Sequence, residues 1–106
     1  MNDHIAEQNQ RHYQRMCEAL SSIPSGQNTH SLGSLIATLD ILLEALEGAD
    51  VNWKDRFRKH WGILEEVNAF ALDAGRLGFS DEEQKLINRA VQDLRLLTEE
   101  VSRPAG

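Results

Sequence analysis

The side chains in this sequence that could carry chemistry are the histidines at positions 4, 12, 30 and 60 and a single cysteine, Cys17. A histidine can exchange a proton near neutral pH because the ordinary pKa of its imidazole is about 6.5. His60 is the candidate for such a role, since both tryptophans lie close to it in the segment WKDRFRKHWGILEEVNAF. Asn68 follows two helical turns later. Both residues fall within an apolar stripe, where a polar side chain needs a hydrogen-bond partner.

These two polar residues are compatible with two arrangements. In the first, Asn9 and Tyr13 of a neighbouring helix are their hydrogen-bond partners, and the group is a core network that fixes the register of the helices. In the second, the polar residues belong to a small pocket that binds a small ligand. The residues that would line this pocket are Tyr13, Trp53, His60, Trp61 and Asn68.

Motifs of the common catalytic and metal sites do not occur in the sequence. There is no HExxH or CxxC, no ExxH pair of a di-iron bundle and no GxSxG nucleophile elbow. The glycine-containing segment GRLGFS is expected to be a turn between helices. Cys17 lies at the border of an apolar stripe and is expected to be a small core residue. We therefore expect a protein that is not an enzyme and that binds no cofactor and no metal.

The charge balance bounds the kind of partner. The sequence has 17 acidic and 11 basic residues and a formal net charge of −6. Proteins that bind nucleic acid or anionic membranes carry an excess of basic groups, so we expect neither a nucleic acid nor a membrane as partner. The same charge favours a basic partner over an acidic one.

The sequence also favours a cytoplasmic location. It contains no apolar run of about 18 residues, the length expected of a transmembrane helix. The N-terminal segment MNDHIAEQNQRHYQR is polar and lacks the apolar centre of a signal peptide. A single cysteine cannot form an internal disulfide and fits a reducing compartment.

The spacing of the apolar residues predicts an all-α protein. These residues recur every three or four positions, and no β-branched run of period two occurs. The predicted helices span residues 3–22, 31–47, 53–74 and 81–102, within a single domain of residues 1–106. Similar lengths and short connections predict an antiparallel, up-down-up-down four-helix bundle. The loop PSGQNTH leaves a second arrangement open, in which the first helix packs on, or is swapped with, a neighbouring subunit.

Residues at the predicted helix ends have the types that cap helices. Thr29 or Ser31 is predicted to cap the second helix, and Asp50 or Asn52 the third. The segment SDEE predicts a capping box at the start of the fourth helix. Gly48 and Gly75 are predicted to occupy the left-handed position after the second and third helices.

The predicted core consists of one apolar stripe on each helix. The aromatic stripe of the third helix is expected to anchor this core, because aromatic side chains bury large areas. The inward residues predicted for the fourth helix are Leu86, Ile87, Ala90, Leu94, Leu97 and Val101. Those predicted for the second helix are Leu32, Leu35, Ile36, Leu39, Leu42, Leu43 and Leu46.

The second helix has a further apolar face, opposite its core stripe. Ala37, Ile41 and Ala45 recur there at a spacing of four residues, and small side chains let another helix approach closely. Either these are surface residues with one exposed isoleucine, or the face packs against another chain. The second alternative predicts a homo-oligomer, most simply a two-fold dimer. Leu96 of the fourth helix is a further candidate for such an interface.

We therefore expect a non-enzymatic, oligomerising protein-interaction module. One alternative is an acidic inhibitor of the immunity-protein or antitoxin type, which the negative charge permits. The other is a small-ligand-binding protein with a pocket near His60 and Asn68. An internal cavity beside these two residues would favour the small-ligand-binding protein over the interaction module.

Overall fold

The computed structural model describes residues 3–21 and 28–102, and all regular secondary structure in these ranges is helical. The helices are α1 (Asp3–Ser21), α2 (Thr29–Ala45), α3 (Val51–Asp73) and α4 (Asp81–Ser102). The prediction of an all-α protein with four helices is confirmed, and the predicted bounds agree within two residues where they are described. The predicted end of the first helix and most of the loop PSGQNTH lie outside the described residues.

The start of α2 differs from the prediction. Its N-cap is Asn28, whose side-chain Oδ1 accepts a hydrogen bond of 2.8 Å from the backbone N–H of Ser31. The Ser31 hydroxyl in turn accepts one of 3.1 Å from the Asn28 N–H, which completes a capping box. Thr29 is instead the first helical residue, and its N–H donates a hydrogen bond of 2.9 Å to the carbonyl oxygen of Leu77. Asparagine caps helices at least as well as threonine, so the start lies two residues earlier than predicted.

The caps of α3 and α4 are among those predicted, although α3 begins at Val51, two residues earlier than predicted. The Asp50 carboxylate accepts a hydrogen bond of 3.2 Å from the backbone N–H of Trp53. At α4, the Ser80 hydroxyl accepts from the Glu83 N–H at 3.2 Å, and the Glu83 carboxylate accepts from the Ser80 N–H at 2.8 Å. These reciprocal bonds are the predicted capping box, in which each side chain satisfies a backbone donor of the first turn.

The two predicted C-terminal glycines behave differently. Gly75 follows the C-cap of α3 with a φ of +69°, and the N–H groups of Gly75 and Arg76 bond to Leu72 and Ala71, as in a Schellman motif. Gly48 also has a positive φ, of +67°, but it lies three residues after the end of α2. The helix ends early because Leu46, which is 4% exposed, leaves the helical conformation while its side chain stays in the core.

The helices pack in a closed square. Close backbone contacts join α1 to α2, α2 to α3, α3 to α4 and α4 to α1, and among the described residues no Cα atoms of the diagonal pairs come within 8 Å of each other. Each helix therefore has two neighbours and one outward face. The outward faces of α2 and α4 lie on opposite sides of the bundle.

The core follows the predicted stripes closely. Trp53 and Phe57 are buried in it, and the rings of Tyr13 and Trp53 pack in a T-shaped arrangement at a centroid distance of 5.5 Å. Leu86 is the exception on α4, because it is 51% exposed. It lies about 100° around the helix from the fully buried Ile87, at the edge of the stripe. The buried apolar residues are Met16, Leu20, Leu32, Leu35, Leu39, Leu42, Leu43, Leu46, Trp53, Phe57, Leu64, Ala71, Ile87, Ala90, Leu94 and Leu97.

None of the described helices combines the length and apolar character required to cross a membrane. Across residues 3–21 and 28–102, no three or more His, Cys, Asp or Glu side chains are grouped in a way that could hold a metal ion.

Candidate interaction site on the second helix

The outward face of α2 is formed by the residues that the sequence pattern identified. Ala37 and Ala45 are exposed, and Ile41 between them is 68% exposed. Leu39, two residues before Ile41, is fully buried on the opposite side of the same helix. We call Ala37, Ile41 and Ala45 the outer face of α2. An apolar side chain of this size in water, on a helix whose other side already forms the core, is available for a partner.

The acidic side chains on the flank of α2 face an arginine of α3. Arg58 lies 3.9 Å from the Asp40 carboxylate and also donates a hydrogen bond to the Glu44 carboxylate. The three side chains are about half exposed, so these contacts add little to stability. They do place a positive charge beside two negative ones. The flank of the outer face therefore carries less negative charge than the sequence alone suggests.

An open groove lies on each side of the outer face. The groove toward α1 has a volume of about 610 Å³. It is lined by Arg15, Glu18, Ala19, Thr38, Ile41 and Leu42. The groove toward α3, which we call the α2–α3 groove, has a volume of about 570 Å³. It is lined by Thr29, His30, Gly33, Ser34, Ala37, Asn68, Leu72 and Leu77. The outer face is thus a ridge between two depressions.

Leu96 does not belong to this surface. It is 58% exposed, but it lies on α4, which stands diagonally across the bundle from α2. The four residues proposed for the interface from the sequence therefore divide into two separate surfaces. Leu96 and Ile41 cannot contact the same copy across one flat interface.

The two tryptophans proposed for a pocket have their polar atoms satisfied by neighbouring helices. The indole Nε1 of Trp53 donates a hydrogen bond of 2.9 Å to the carbonyl oxygen of Leu97 in α4. The Nε1 of Trp61 donates one of 3.0 Å to the carbonyl oxygen of Ile36 in α2. Tyr13 packs against Trp53, and burial raises the pKa of its phenol. These three aromatic residues join helices to one another.

His60 and Asn68 face different helices. His60 Nδ1 lies 3.6 Å from the Asp93 carboxylate of α4, whereas Asn68 lines the α2–α3 groove. The prediction of Asn9 as a partner is wrong, because its amide bonds to the backbone of Glu47, just after the end of α2. These hydrogen bonds, at 2.6 and 3.1 Å, satisfy both atoms of the Asn9 amide. The five residues proposed for one pocket therefore reach toward three different helices.

Asn68 is one of three described residues, with His12 and His60, that have a buried side-chain polar atom without a hydrogen-bond partner. The residue is 7% exposed, and its Oδ1 has no hydrogen-bond partner among the described residues. Its Nδ2 lies against Gly33, where an added Cβ atom would be 3.5 Å away. Sequence reasoning did not connect these two residues, although a glycine inside a helix was an available signal. Nor did it identify Leu72 and Leu77, which are 56% and 80% exposed at the same groove.

Cys17 shows no sign of an activated thiol. Burial raises its pKa, which is the opposite of the change that produces a reactive thiolate. Its Sγ lies 4.0 Å from the hydroxyl oxygen of Ser102.

At the opposite end of the bundle from Asn9, a clamp joins α3 to α4. Arg76 donates hydrogen bonds of 2.7 and 3.0 Å to the two carboxylate oxygens of Glu83. Together with the capping bond from Ser80, this contact lowers the pKa of Glu83 from 4.5 to about 2. The guanidinium also lies 5.8 Å from the centroid of the Phe70 ring. The clamp has a structural explanation, because it fixes the connection between the two helices.

Comparisons of this chain with protein-family models, with curated proteins and with solved structures found no match.

Proposed function

We propose that this chain is a non-enzymatic helical module that associates with a second copy of itself through the outer face of α2. The observation that carries the proposal is the exposure of Ile41, at 68%, between two alanines on a helix whose other side is buried. Burial of such a residue against another helix is favourable because it removes apolar surface from water.

The local charge supports a second copy as the partner. The formal net charge of −6 opposes self-association in general, because like charges repel. The outer face itself carries no charged side chain, and Arg58 offsets one of the two negative charges of Asp40 and Glu44 on its flank. This surface is therefore one on which two copies can meet with little repulsion. A two-fold dimer uses the same patch twice and is the simplest closed arrangement.

We further propose that consecutive helices run in opposite directions and that α1 packs on its own subunit. Three contacts support this topology. Asn9 near the start of α1 bonds to Glu47 after the end of α2, Thr29 at the start of α2 bonds to Leu77 after α3, and Trp53 at the start of α3 bonds to Leu97 near the end of α4. Since α1 already contacts α2 and α4 of the same chain, the proposed dimer needs no exchange of α1.

The test is the molar mass in solution, measured by size-exclusion chromatography with light scattering over a range of micromolar concentrations. We expect a dimer for the unchanged chain and a monomer for Ile41→Glu, because a carboxylate at the contact must be buried or repelled. Leu96→Glu is the matched control, since it places the same charge at a similarly exposed apolar residue on the opposite side. A monomeric unchanged chain at every concentration would refute the proposal, and circular dichroism establishes that the variants are folded.

A further inference from the structure

We propose that the α2–α3 groove of each copy receives Ile41 of the other copy, with the two α2 helices antiparallel and crossing at Ala37. This proposal rests on the proposed dimer and deepens it, because it names the surface that each Ile41 meets. It adds part of α3 and of the turn after α3 to the outer face of α2. The residues that would surround the incoming isoleucine are Gly33, Leu72 and Leu77.

The outer face of α2 is small for a dimer interface. A stable interface buries roughly 800 Å² on each partner. The outer face has one large side chain, Ile41, and two alanines. The α2–α3 groove adjoins it, since Ala37 also lines that groove. A dimer that covers the groove also removes Leu72 and Leu77 from water, and these are 56% and 80% exposed.

Of the two grooves beside the outer face, the α2–α3 groove suits an isoleucine better. Its lining contains no carboxylate, ammonium or guanidinium group. The groove toward α1 is lined by Arg15 and Glu18. An apolar side chain that covers charged groups removes them from water at a cost in free energy. The α2–α3 groove therefore accepts Ile41 without this cost, and its volume of about 570 Å³ leaves room for the side chain.

Gly33 provides the room beside α2. It lies inside the helix, where glycine is less favourable than alanine. Its φ is not in the left-handed region, and a Cβ atom there would meet Asn68 Nδ2 at 3.5 Å, an ordinary contact distance. Within its own subunit, neither conformation nor packing therefore requires a glycine. A second copy gives it a purpose, because a side chain at this position would occupy the place of Ile41.

The spacing along α2 brings Ile41 to Gly33 when the two-fold axis passes Ala37. Antiparallel helices related by such an axis place residues at equal distances before and after it opposite each other. Gly33, Ala37 and Ile41 form one row of residues spaced by four. Such rows are inclined by about 26° to the helix axis, so two helices that cross at about 50° bring their rows parallel. Parallel helices would instead place Asp40 and Glu44 beside their own copies, where like charges repel.

The charges on α2 favour an axis at Ala37 over one at Ile41. At a rise of about 1.5 Å per residue, an axis at Ile41 would separate the two copies of Asp40 by only about 3 Å along the helices. The two copies of Glu44 would be about 9 Å apart. An axis at Ala37 increases these separations to about 9 and 21 Å, beyond the screening length of about 8 Å at physiological salt. It also places Glu44 opposite His30, which is exposed and carries a ring N–H donor.

The test compares two substitutions that enlarge a small residue of the same helix. We expect Gly33→Leu to raise the dissociation constant of the dimer at least about tenfold, because the leucine fills the groove. Ala45→Leu should change it by less than about threefold, since Ala45 lies about 12 Å along α2 from the axis at Ala37. Sedimentation equilibrium of the full chain measures the constants, and circular dichroism establishes that both variants are folded.

The outcomes separate this proposal from the dimer on which it rests. A larger effect of Ala45→Leu than of Gly33→Leu would overturn the proposal and leave the dimer in place, because Ala45 meets Ala37 when the axis lies at Ile41. A monomeric unchanged chain at every concentration would overturn both.

Disulfide cross-linking locates the contact without introducing a large side chain. The variants are made in a Cys17→Ser background and oxidised under mild conditions. We expect Ala37→Cys to cross-link with itself, because this residue lies at the axis, whereas Ile41→Cys alone should not. A mixture of Ile41→Cys and Gly33→Cys should form the mixed cross-link. Cross-linking of Ile41→Cys with itself, or no mixed cross-link, would contradict the proposed register.

Discussion

The indole nitrogen of Trp53, at the start of α3, donates a 2.9 Å hydrogen bond to the backbone carbonyl oxygen of Leu97, near the end of α4. Trp53 is 2% exposed and also contacts the rings of Tyr13 and Phe57. One residue therefore joins α1, α3 and α4 at the same end of the bundle. A tryptophan that the sequence allowed as a pocket residue is a structural anchor.

This contact predicts different costs for two tryptophan substitutions. Trp53→Phe removes a buried hydrogen bond and leaves unfilled volume, so it should lower the free energy of unfolding by about 2 kcal/mol or more. Trp61→Phe should cost about 1 kcal/mol or less, because Trp61 is partly exposed and water can bond to the Ile36 carbonyl in its place. Urea unfolding followed by circular dichroism measures both. Equal costs would contradict the difference in burial.

The two sides of α2 predict a second contrast. Leu39→Ala removes a fully buried side chain and should cost about 2–5 kcal/mol. Ile41→Ala changes an exposed side chain and should alter the stability of the monomer by no more than about 0.5 kcal/mol. Urea unfolding at a concentration low enough for the monomer to dominate is the measurement. A large cost for Ile41→Ala under those conditions would mean that Ile41 packs within its own subunit.

The Arg76–Glu83 clamp predicts a pH dependence of stability. The pKa of Glu83 is lowered from 4.5 to about 2 in the folded chain, so the folded state binds this proton less readily than the unfolded state. The contribution of Glu83 is therefore fully present above about pH 4.5 and is lost as the pH falls toward 2.

Thermal unfolding between neutral pH and pH 2 tests this dependence. Glu83→Gln should melt below the unchanged chain at neutral pH, and the difference should shrink as the pH approaches 2. Glu82→Gln, at the exposed neighbouring residue, is the control and should show no comparable convergence. A difference for Glu83→Gln that stays constant over the whole range would rule out the clamp as its cause.

Two glycines predict opposite effects of the same substitution. Gly33→Ala should stabilise the chain by about 0.5–1 kcal/mol, because alanine favours a helix and its Cβ meets the Asn68 amide at an ordinary distance. Gly75→Ala should destabilise it by about 1–2 kcal/mol, because φ at this position is +69°. The melting temperatures of the two variants decide the point. A loss of stability in Gly33→Ala would show that the residue is required by packing.

Local signals in the sequence were sufficient for the elements and most of the core. The capping residues Asp50, Ser80 and Glu83 act within one turn, so their types and spacing predict the contacts that the structure contains. The predicted cap of α2, Thr29 or Ser31, was wrong, because Asn28 and Thr29 both have side chains that can cap a helix. Only the buried position of Thr29 and its bond to Leu77 separate them, and these depend on a distant part of the chain.

The arrangement of the candidate pocket could not be predicted in the same way. His60 and Asn68 are separated by about 80° around α3, which a helical projection assigns to one broad stripe. The order of the helices in the square then directs His60 to α4 and Asn68 to α2. A projection of one helix gives angles about its own axis and contains no information about which neighbour stands at each angle. For the same reason, the sequence pattern assigned Leu96 and Ile41 to one candidate interface, although α4 and α2 stand on opposite sides of the bundle.

The square of helices has a consequence for how far assembly can proceed. A dimer joined through α2 would carry α4, and with it Leu96, at both of its far ends. A third copy could be added only through a separate contact between two α4 helices, because the outer face of α2 is already covered in the dimer. A single self-complementary contact on a molecule of this shape therefore stops at two copies, whereas two unlike contacts on opposite sides would produce a filament.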